Sequence, residues 1–180
     1  PIEQEGTYPL PEAQIDRFLF KLKVDYPTRE EERLIAENNA HPEFFPQAMT
    51  VASLEDITAA RKMVDKIYMD PKLLEYVLDI VFATRPKHHT ELSERQQSAR
   101  LSELVPLIQY GASPRATISL VLAAKALAFM EGRAYVIPQD VKDVAHDVLR
   151  HRIMLSYEAE AENMSADDLI TKILEELKTP

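Results

Sequence analysis

Two arginines stand in settings where their side chains could bind an anion. Arg17 lies near the end of the sequence GTYPLPEAQIDRF, where a loop passes into a predicted strand. Arg115 follows Pro114 in the sequence GASPRA and falls in the first turn of a predicted helix. A guanidinium group is planar and permanently charged, which suits it to phosphate or carboxylate oxygens. Each arginine also has a plainer interpretation: Arg17 could form a surface pair with Asp16, worth less than about 1 kcal/mol, and Arg115 could pair with a local carboxylate.

The remaining polar residues indicate no second kind of catalytic centre. The chain has 5 histidines and no cysteine. His88 and His89 are adjacent and point apart on any regular element, while His146 and His151 do not share a helical face. Because no histidine pair has ligand spacing, we expect no metal site. The sequence contains neither a Gly-x-x-x-x-Gly-Lys-Ser/Thr phosphate-binding loop nor an apolar strand that ends in Asp-Glu.

The composition disfavours several classes of protein. With 180 residues, of which 46% are apolar, the chain can bury one sizeable core. Only 3 glycines are present, which argues against a β fold with many tight turns. A net charge of -9, with basic residues spread along the chain, disfavours nucleic acid as a main partner. No run of residues approaches the 18 or so apolar residues that a membrane span requires, so we expect none.

Hydrophobic periodicity and capping residues predict a mainly α-helical chain. Residues 1–17 predict an irregular hairpin or loop, and residues 18–25 alternate apolar and polar side chains as a strand does. About six helices follow. Their predicted first turns share a capping side chain or a proline, at Thr28, Ser53, Asp70, Ser113, Pro138 and Ser165. Residues 85–113 show little periodicity, and the polar stretch at residues 85–100 predicts a mobile loop.

The predicted strand at residues 18–25 has no partner strand elsewhere in the sequence. A single strand cannot satisfy its own backbone hydrogen-bonding groups, so the pattern predicts that a sheet is missing. The apolar face of the strand would then be uncovered. We therefore expect residues 1–26 to be disordered, packed down onto the helices, or paired with a second copy of the chain.

The sequences around the two arginines resemble two motifs of the MoxR family of AAA+ ATPases. The first is similar to the segment after the family's sensor-1 strand, which ends in the arginine finger, and the second is similar to sensor 2. The sequence from His151 through Leu155 is also similar to the family's lid. The resemblance implies the C-terminal portion of such an ATPase. Residues 1–27 would be a remnant of the α/β core, with a hairpin and one orphan strand, and residues 28–180 would be the helical lid domain.

The resemblance also implies roles for individual residues. Arg17 would reach the γ-phosphate in a neighbouring subunit, where charge builds up on the phosphoryl oxygens during hydrolysis. Arg115, beside Pro114, would reach the γ-phosphate of its own subunit's nucleotide, and Tyr26 would lie near the adenine ring. ATP and Mg²⁺ would be the cofactors of the longer protein. Because this chain has no phosphate-binding loop, we expect it to bind neither tightly and to be inactive by itself.

The resemblance implies a cytoplasmic oligomer, which we expect to be a ring. It would remodel partner complexes or help to insert metals into them. A partner protein with a von Willebrand A-type domain is one expected associate. Two alternatives stay open. One is the ATPase subunit of a magnesium chelatase, a related protein with the same two arginines. The other is a non-enzymatic helical module that docks a partner protein. A helix-turn-helix DNA-binding protein is the least expected class, because the chain is acidic.

Overall fold

A computed structural model describes residues 10–40, 47–92, 96 and 98–180. Predictions on residues 1–9, which include the first part of the expected hairpin, lie outside the described residues. The expectation of a mainly α-helical chain is confirmed, and the core is formed by residues between Ile67 and Leu177. No helix within the described ranges is long and apolar enough to cross a membrane.

The elements follow one another along the chain as helices with a small two-stranded sheet between them. The α-helices are α1 Glu12–Ile15, α2 Arg29–Asn39, α3 Leu54–Lys66, α4 Pro71–Ala83, α5 Ala99–Leu104, α6 Pro114–Met130, α7 Pro138–Leu149, α8 Tyr157–Ala161 and α9 Ala166–Glu176. Short 3-10 turns cover Pro86–Glu91 and Val105–Leu107. Strands β1 Ile108–Tyr110 and β2 Met154–Leu155 pair antiparallel.

The predicted helix starts are confirmed because their signals are local. Three helices begin with a complete capping box, formed by Thr28 with Glu31, Ser53 with Asp56, and Ser165 with Asp168. At α3 the backbone N–H of Ser53 donates to Asp56 Oδ2 at 2.8 Å. This bond, followed by the one from the Ser53 hydroxyl, lowers the pKa of Asp56. Each box satisfies backbone groups that a helix start leaves without partners.

Gly132 ends α6 by taking a left-handed backbone conformation, with φ of +70°. Its N–H donates to the carbonyl of Phe129 at 3.0 Å, and the N–H of Arg133 donates to that of Ala128 at 2.9 Å. These two bonds form a Schellman motif, which satisfies carbonyls at the end of a helix. Glycine adopts this conformation without the steric cost that a Cβ brings.

The core is built mainly by α4, α6, α7 and α9. The helical spacing of apolar residues predicts an inward stripe on α9, and all five members are buried: Leu169, Ile170, Ile173, Leu174 and Leu177. On α4 the same spacing predicts a stripe of Leu74, Val77, Leu78 and Val81, which is partly wrong, because Leu74 is 40% exposed and Leu73 is buried in its place. Both leucines fit a 3.6-residue period, so only packing against the rest of the bundle decides which one turns inward.

Helix α6 is less enclosed than its apolar sequence predicts. Its buried face carries small residues, among them Ala116, Ala124 and Ala128, which let neighbouring helices approach closely. Its large side chains Ile118 and Leu122 are 60% and 51% exposed. Leu122 lines a groove of about 940 Å³ that runs between α3, α6 and α7. The nearly all-round apolar sequence of α6 predicts a helix central to the bundle; α6 does pack against α3, α4 and α7, but one of its sides stays open.

The strand predicted for residues 18–25 is not found. No described strand lies beside this segment, so its backbone bonds go to the helical bundle instead. The N–H of Lys21 donates to the carbonyl of Asp147 in α7 at 2.9 Å, and Lys23 forms an ion pair with Asp167 in α9. Of the three states expected for residues 1–26, packing onto the helices describes residues 16–23. The side chains of Phe18 and Val24 stay exposed.

Residues 85–113 are more regular than predicted. They contain a 3-10 turn at Pro86–Glu91, helix α5, a second 3-10 turn and strand β1. These elements are too short to produce a recognisable period, and β1 depends on β2, which comes much later in the chain. Ile108 lies opposite Leu155 in the sheet, and Ser156 donates its N–H to the carbonyl of Leu107 at 3.0 Å.

Candidate functional site

The sequence GASPRA forms the start of α6 as predicted. The Ser113 hydroxyl accepts a hydrogen bond from the N–H of Arg115 at 3.2 Å, and Pro114 takes the first helical position. Proline fits there because the N–H it lacks would have no helical partner. The side chain of Arg115 is 54% exposed, so it extends from a fixed helix start into the solvent-accessible surface.

Hydrogen bonds connect the backbone of the GASPRA motif to the C-terminal end of α4. The Thr84 hydroxyl is fully buried; it donates to the Val81 carbonyl at 2.7 Å and accepts from the Ala112 N–H at 3.0 Å. Arg85 Nε donates to the Ala112 carbonyl at 2.8 Å. A Cβ on Gly111 would stand 2.0 Å from the Thr84 carbonyl oxygen. Only glycine allows this close approach, which sets where α6 and Arg115 begin.

Arg17 lies in the turn that follows α1. Its N–H donates to the Gln14 carbonyl at 3.2 Å, which continues the local turn. Its side chain is exposed. Within the described part of the chain, the guanidinium of Arg17 has no hydrogen bond and no ion pair. The backbone of Arg17 is therefore fixed, while its charged side chain is free to bind a group outside the described part of the chain.

Asp16 is the point where the two predicted motifs meet. Both of its carboxylate oxygens accept from the Ser113 hydroxyl, at 3.0 and 2.9 Å. Arg115 Nη1 lies 3.4 Å from Asp16 Oδ2, across 99 positions of sequence. Asp16 thus pairs with Ser113 and Arg115 of the second motif. The surface-pair interpretation, in which Asp16 pairs with Arg17, is not what the structure shows. The structure brings the two sequences side by side, with Arg17 one residue from the shared carboxylate.

Arg152 connects this segment to the bundle, and its side chain is only 1% exposed. Its Nε lies 3.2 Å from Asp16 Oδ1, and its Nη2 donates to the backbone carbonyls of Asp16 at 3.1 Å and Phe18 at 2.7 Å. Its Nη1 donates to the carbonyl of Leu19 at 3.3 Å. The guanidinium therefore holds the backbone on both sides of Arg17.

The same guanidinium also contacts two helices of the bundle. Its Nη2 donates to the Ser119 hydroxyl of α6 at 3.2 Å, and its Nη1 donates to the carbonyl of Val148 in α7. Burial lowers the pKa of Arg152, and the nearby Asp16 carboxylate opposes that effect. A guanidinium stays protonated under either influence, so this site contains a buried, hydrogen-bonded positive charge.

The two residues before Arg152, Arg150 and His151, make a second set of contacts. His151 Nε2 lies 3.0 Å from the Phe18 carbonyl and must carry the proton there, because a carbonyl only accepts. Burial lowers the pKa of His151, so the imidazole is neutral near pH 7. Its Nδ1 is buried without a partner among the described residues. Arg150 Nε donates to Asp167 Oδ1 at 2.9 Å, and Arg150 also binds the Lys21 carbonyl.

A surface cleft of about 470 Å³ lies at this junction, between α1, the segment after it and the loop before β2. Its walls carry both Asp16 and the cations Lys21 and Arg150. Tyr26 does not take part: its side chain is 81% exposed, and its N–H bonds only to the neighbouring Asp25. Pro114 is exposed beside Arg115. The structure therefore brings the segment that carries Arg17 against the start of α6, where Pro114 and Arg115 lie, through Asp16, and it leaves Tyr26 apart.

Sequence reasoning missed the residues that join the motifs, namely Asp16, Thr84 and Arg152. One signal was present: Arg150, His151 and Arg152 form a basic run in a chain of net charge -9. Nothing in that run indicates which of its members is buried, because the acceptors lie far away in sequence. Among the residues that the structure covers, no three His, Asp or Glu side chains are arranged to hold a metal ion.

Three comparisons with known proteins show what this chain is similar to. A family model described as AAA lid domain matches residues 104–173. The chain is 41% identical to Chaperone MoxR1 of Mycobacterium tuberculosis, over all of this chain and 45% of that protein. It is 34% identical to Protein MoxR of Paracoccus denitrificans, over 86% of this chain and 46% of that protein. A third relative is the uncharacterized protein YeaC of Bacillus subtilis, at 38% identity.

A solved structure agrees with these relatives. The crystal structure of a putative ATPase from Cytophaga hutchinsonii is 40% identical and superposes with a TM-score of 0.87, over 100% of this chain and 52% of that one. The match includes the segment before α2 as well as the bundle. The chain spans about half the length of the curated relatives and of the solved structure that it matches.

Proposed function

Because this chain belongs to the MoxR family of AAA+ ATPases, we propose that it supplies two phosphate-directed arginines to a longer ATP hydrolase. Arg17 would be the arginine finger and would act on the nucleotide of a neighbouring subunit. One observation carries this proposal. The backbone on both sides of Arg17 is held by Arg152, while the Arg17 guanidinium has no partner in the described ranges. A planar cation in that state fits the charge that develops on a transferred phosphoryl group.

Arg115 would be the sensor that contacts the γ-phosphate of its own subunit. Its contact with Asp16 is long, at 3.4 Å, and its side chain is about half exposed. An ion pair of this kind stabilises little, so a phosphate group could replace the carboxylate at small cost. The pairing with Asp16 also agrees with the plainer interpretation, in which Arg115 only balances a carboxylate. Measured turnover distinguishes the two.

The chain by itself would neither bind Mg-ATP tightly nor hydrolyse it. It has no phosphate-binding loop, and the part seen in the structure has no acidic cluster suited to Mg²⁺. ATP and Mg²⁺ would be held by the rest of the protein, and Tyr26 would approach the adenine only there. In the same scheme residues 1–27 belong to the AAA+ core and residues 28–180 to the lid. The match of the lid family supports the lid assignment for residues 104–173.

A chaperone-like role follows as a further proposal. One relative is named a chaperone, and the trans action of Arg17 requires an oligomer, for which a ring is the simplest closed form. Remodelling or metal insertion in partner complexes, and a partner with a von Willebrand A-type domain, rest on the family resemblance. A magnesium-chelatase subunit would use the same two arginines. The rival helical-module function is favoured by the open groove beside α6.

The test is an ATPase assay on the longer protein, comparing wild type with Arg17→Ala and Arg115→Ala. Removing an arginine finger lowers turnover by about 10³- to 10⁵-fold while ATP binding persists. Mixing Arg17→Ala subunits with subunits whose phosphate-binding loop is disabled should restore activity. In the mixed ring, an intact Arg17 faces an intact nucleotide site across some interfaces.

Normal turnover by Arg17→Ala would refute the finger assignment and leave the helical module as the better function. Loss of turnover without rescue by mixing would place the action of Arg17 within its own subunit. Arg115→Ala should not be rescued by the same mixing, because a sensor acts on its own subunit's nucleotide. Arg29→Ala is a matched control, since Arg29 is an exposed arginine in α2 outside the Asp16 cluster.

A further inference from the structure

The side chain of Arg152 stands out because a buried charge is costly unless its hydrogen-bonding groups are satisfied. It is 1% exposed, far less than Arg115 at 54%. Three of its acceptors are backbone carbonyls of Asp16, Phe18 and Leu19, which bracket Arg17. These bonds fix a backbone that has no strand partner in the described residues. They do not by themselves require any particular side chain at position 17.

We propose that Arg152 is a positioning residue for Arg17, which ties the segment that carries Arg17 to helices α6 and α7 so that the two move as one body. The inference rests on the proposed finger role of Arg17. Arg152 touches no nucleotide in this scheme. It sets where Arg17 is presented to the neighbouring subunit, and through α6 it links that placement to the helix whose first turn carries Arg115.

The link to α6 and α7 is direct. Arg152 donates to the Ser119 hydroxyl, one helical turn after Arg115, and to the Val148 carbonyl near the end of α7. Asp16 completes the connection from the other side, because its carboxylate contacts both Arg152 and the Ser113 hydroxyl that caps α6. A rotation of α6 driven at Arg115 would therefore carry the backbone around Arg17 with it.

Lysine cannot replace arginine in this position. A guanidinium presents five N–H donors in a fixed plane. Here they donate both to the segment at residues 16–19 and to helices α6 and α7. An ammonium group keeps the charge but has three donors at a single point. Arg152→Lys should therefore keep a cation beside Asp16 but leave backbone carbonyls of residues 16–19 without the hydrogen bonds that the guanidinium donates to them. Arg152→Gln removes the charge as well and serves as the second variant.

The first measurement is hydrogen–deuterium exchange in the full-length ATPase that contains this chain. The Lys21 N–H, bonded to the Asp147 carbonyl at 2.9 Å, reports whether the segment stays docked. In Arg152→Lys we expect exchange across residues 16–22 to accelerate by about tenfold or more, with α9 unchanged. Exchange at wild-type rates in both Arg152 variants would overturn the anchoring, whatever the activity.

The second measurement is turnover with subunit mixing. Arg152→Lys should lower kcat by roughly 10- to 100-fold, as small misplacements of a catalytic group do, with little change in KM. Mixing it with loop-disabled subunits should restore turnover, because those subunits supply a correctly placed Arg17. A defect that mixing does not restore would overturn the positioning role. A folding defect would also appear as faster exchange in α9.

Arg133→Lys is the matched control. Arg133 also forms a close ion pair inside the bundle, with Asp140, but contacts nothing in residues 10–24. It should leave exchange at residues 16–22 unchanged and turnover within about twofold. Turnover by Arg17→Ala at the wild-type rate would refute the finger function, whereas the exchange measurement would still decide the anchoring. The two failures are thus separable.

Discussion

The helical bundle and the segment that carries Arg17 are held in place by different forces. The bundle buries aliphatic side chains such as Ile80, Leu120 and Ile170 almost completely. The segment at residues 16–23 buries no side chain and is held on the bundle by charged groups, chiefly Arg152 and Arg150. Apolar packing involves no charge and responds little to pH, whereas ion pairs and buried polar bonds respond to pH and to ionic strength. The docking of the segment onto the bundle is therefore the contact that a change of charge, salt or pH can weaken while the core stays packed.

The largest expected effect lies in the bundle. Ile80→Ala removes a fully buried side chain and should lower the free energy of unfolding by about 2–5 kcal/mol, because the lost burial is joined by a cavity. Urea denaturation measures it. Leu74→Ala on the same helix is the control and should cost less than about 1 kcal/mol, since Leu74 is 40% exposed. Equal losses would show that the phase of α4 is assigned wrongly.

Gly111 tests the joint between α4 and the start of α6. Gly111→Ala would place a Cβ 2.0 Å from the Thr84 carbonyl, and the backbone shift that relieves it should cost about 1–3 kcal/mol. Gly132→Ala is the comparison: a Cβ there meets nothing within 4 Å and strains only the positive φ, at about 1 kcal/mol. Thermal unfolding compares the two. A Gly111→Ala protein as stable as the wild type would contradict the close approach.

Asp16→Asn should loosen the segment and leave the bundle intact. The change keeps the shape of the side chain but removes the charge that faces Arg115 and Arg152. We expect the free energy of opening of residues 16–22 to fall by about 1–3 kcal/mol, since Arg152 loses a charged partner. Hydrogen exchange measures this opening. Raising the salt concentration should weaken the wild-type segment more than the Asp16→Asn segment, which keeps only the Lys23–Asp167 ion pair to the bundle among the described residues; equal salt dependence would contradict the role of Asp16.

The smallest effect concerns pH. Burial lowers the pKa of His151 below its usual 6.5, with Arg152 and Lys21 adding to the effect and the bond to the Phe18 carbonyl opposing it. The folded state therefore favours the neutral imidazole, so this stabilisation is present above pH 6.5 and is lost as pH falls through the lowered pKa. Unfolding followed from about pH 7.5 to 5.5 should show a steeper loss in the wild type than in His151→Gln. Parallel curves would contradict it.

Sequence reasoning succeeded where the cause was local. Capping boxes at Thr28, Ser53 and Ser165 involve residues three positions apart, so they can be recognised without knowing the fold. Gly132 likewise ends α6 by its own conformational freedom. The two motifs containing Arg17 and Arg115 could be recognised as sequences, but nothing in either one indicates that Asp16 touches both the cap of α6 and Arg152.

Sequence reasoning failed where the deciding partner was distant. The alternation of residues 18–25 predicts a strand, but a strand needs a neighbour, and this segment bonds instead to α7 and to Arg152. Strand β1 was missed because its partner, Met154–Leu155, follows two helices later. The apolar sequence of α6 could not reveal that Ile118 and Leu122 are more than half exposed, nor that Leu122 lines an open groove.

By itself the sequence determined the helical class, the places where the six longer helices begin, and the two arginines with their family. These follow from hydrogen bonds and steric effects within a few residues, and from motifs that keep their spacing. Only the tertiary structure decided which leucine of α4 is buried, that Gly111 must be a glycine, and that Arg152 anchors the backbone around Arg17. Those properties depend on contacts between residues more than twenty-five positions apart, which only packing can bring together.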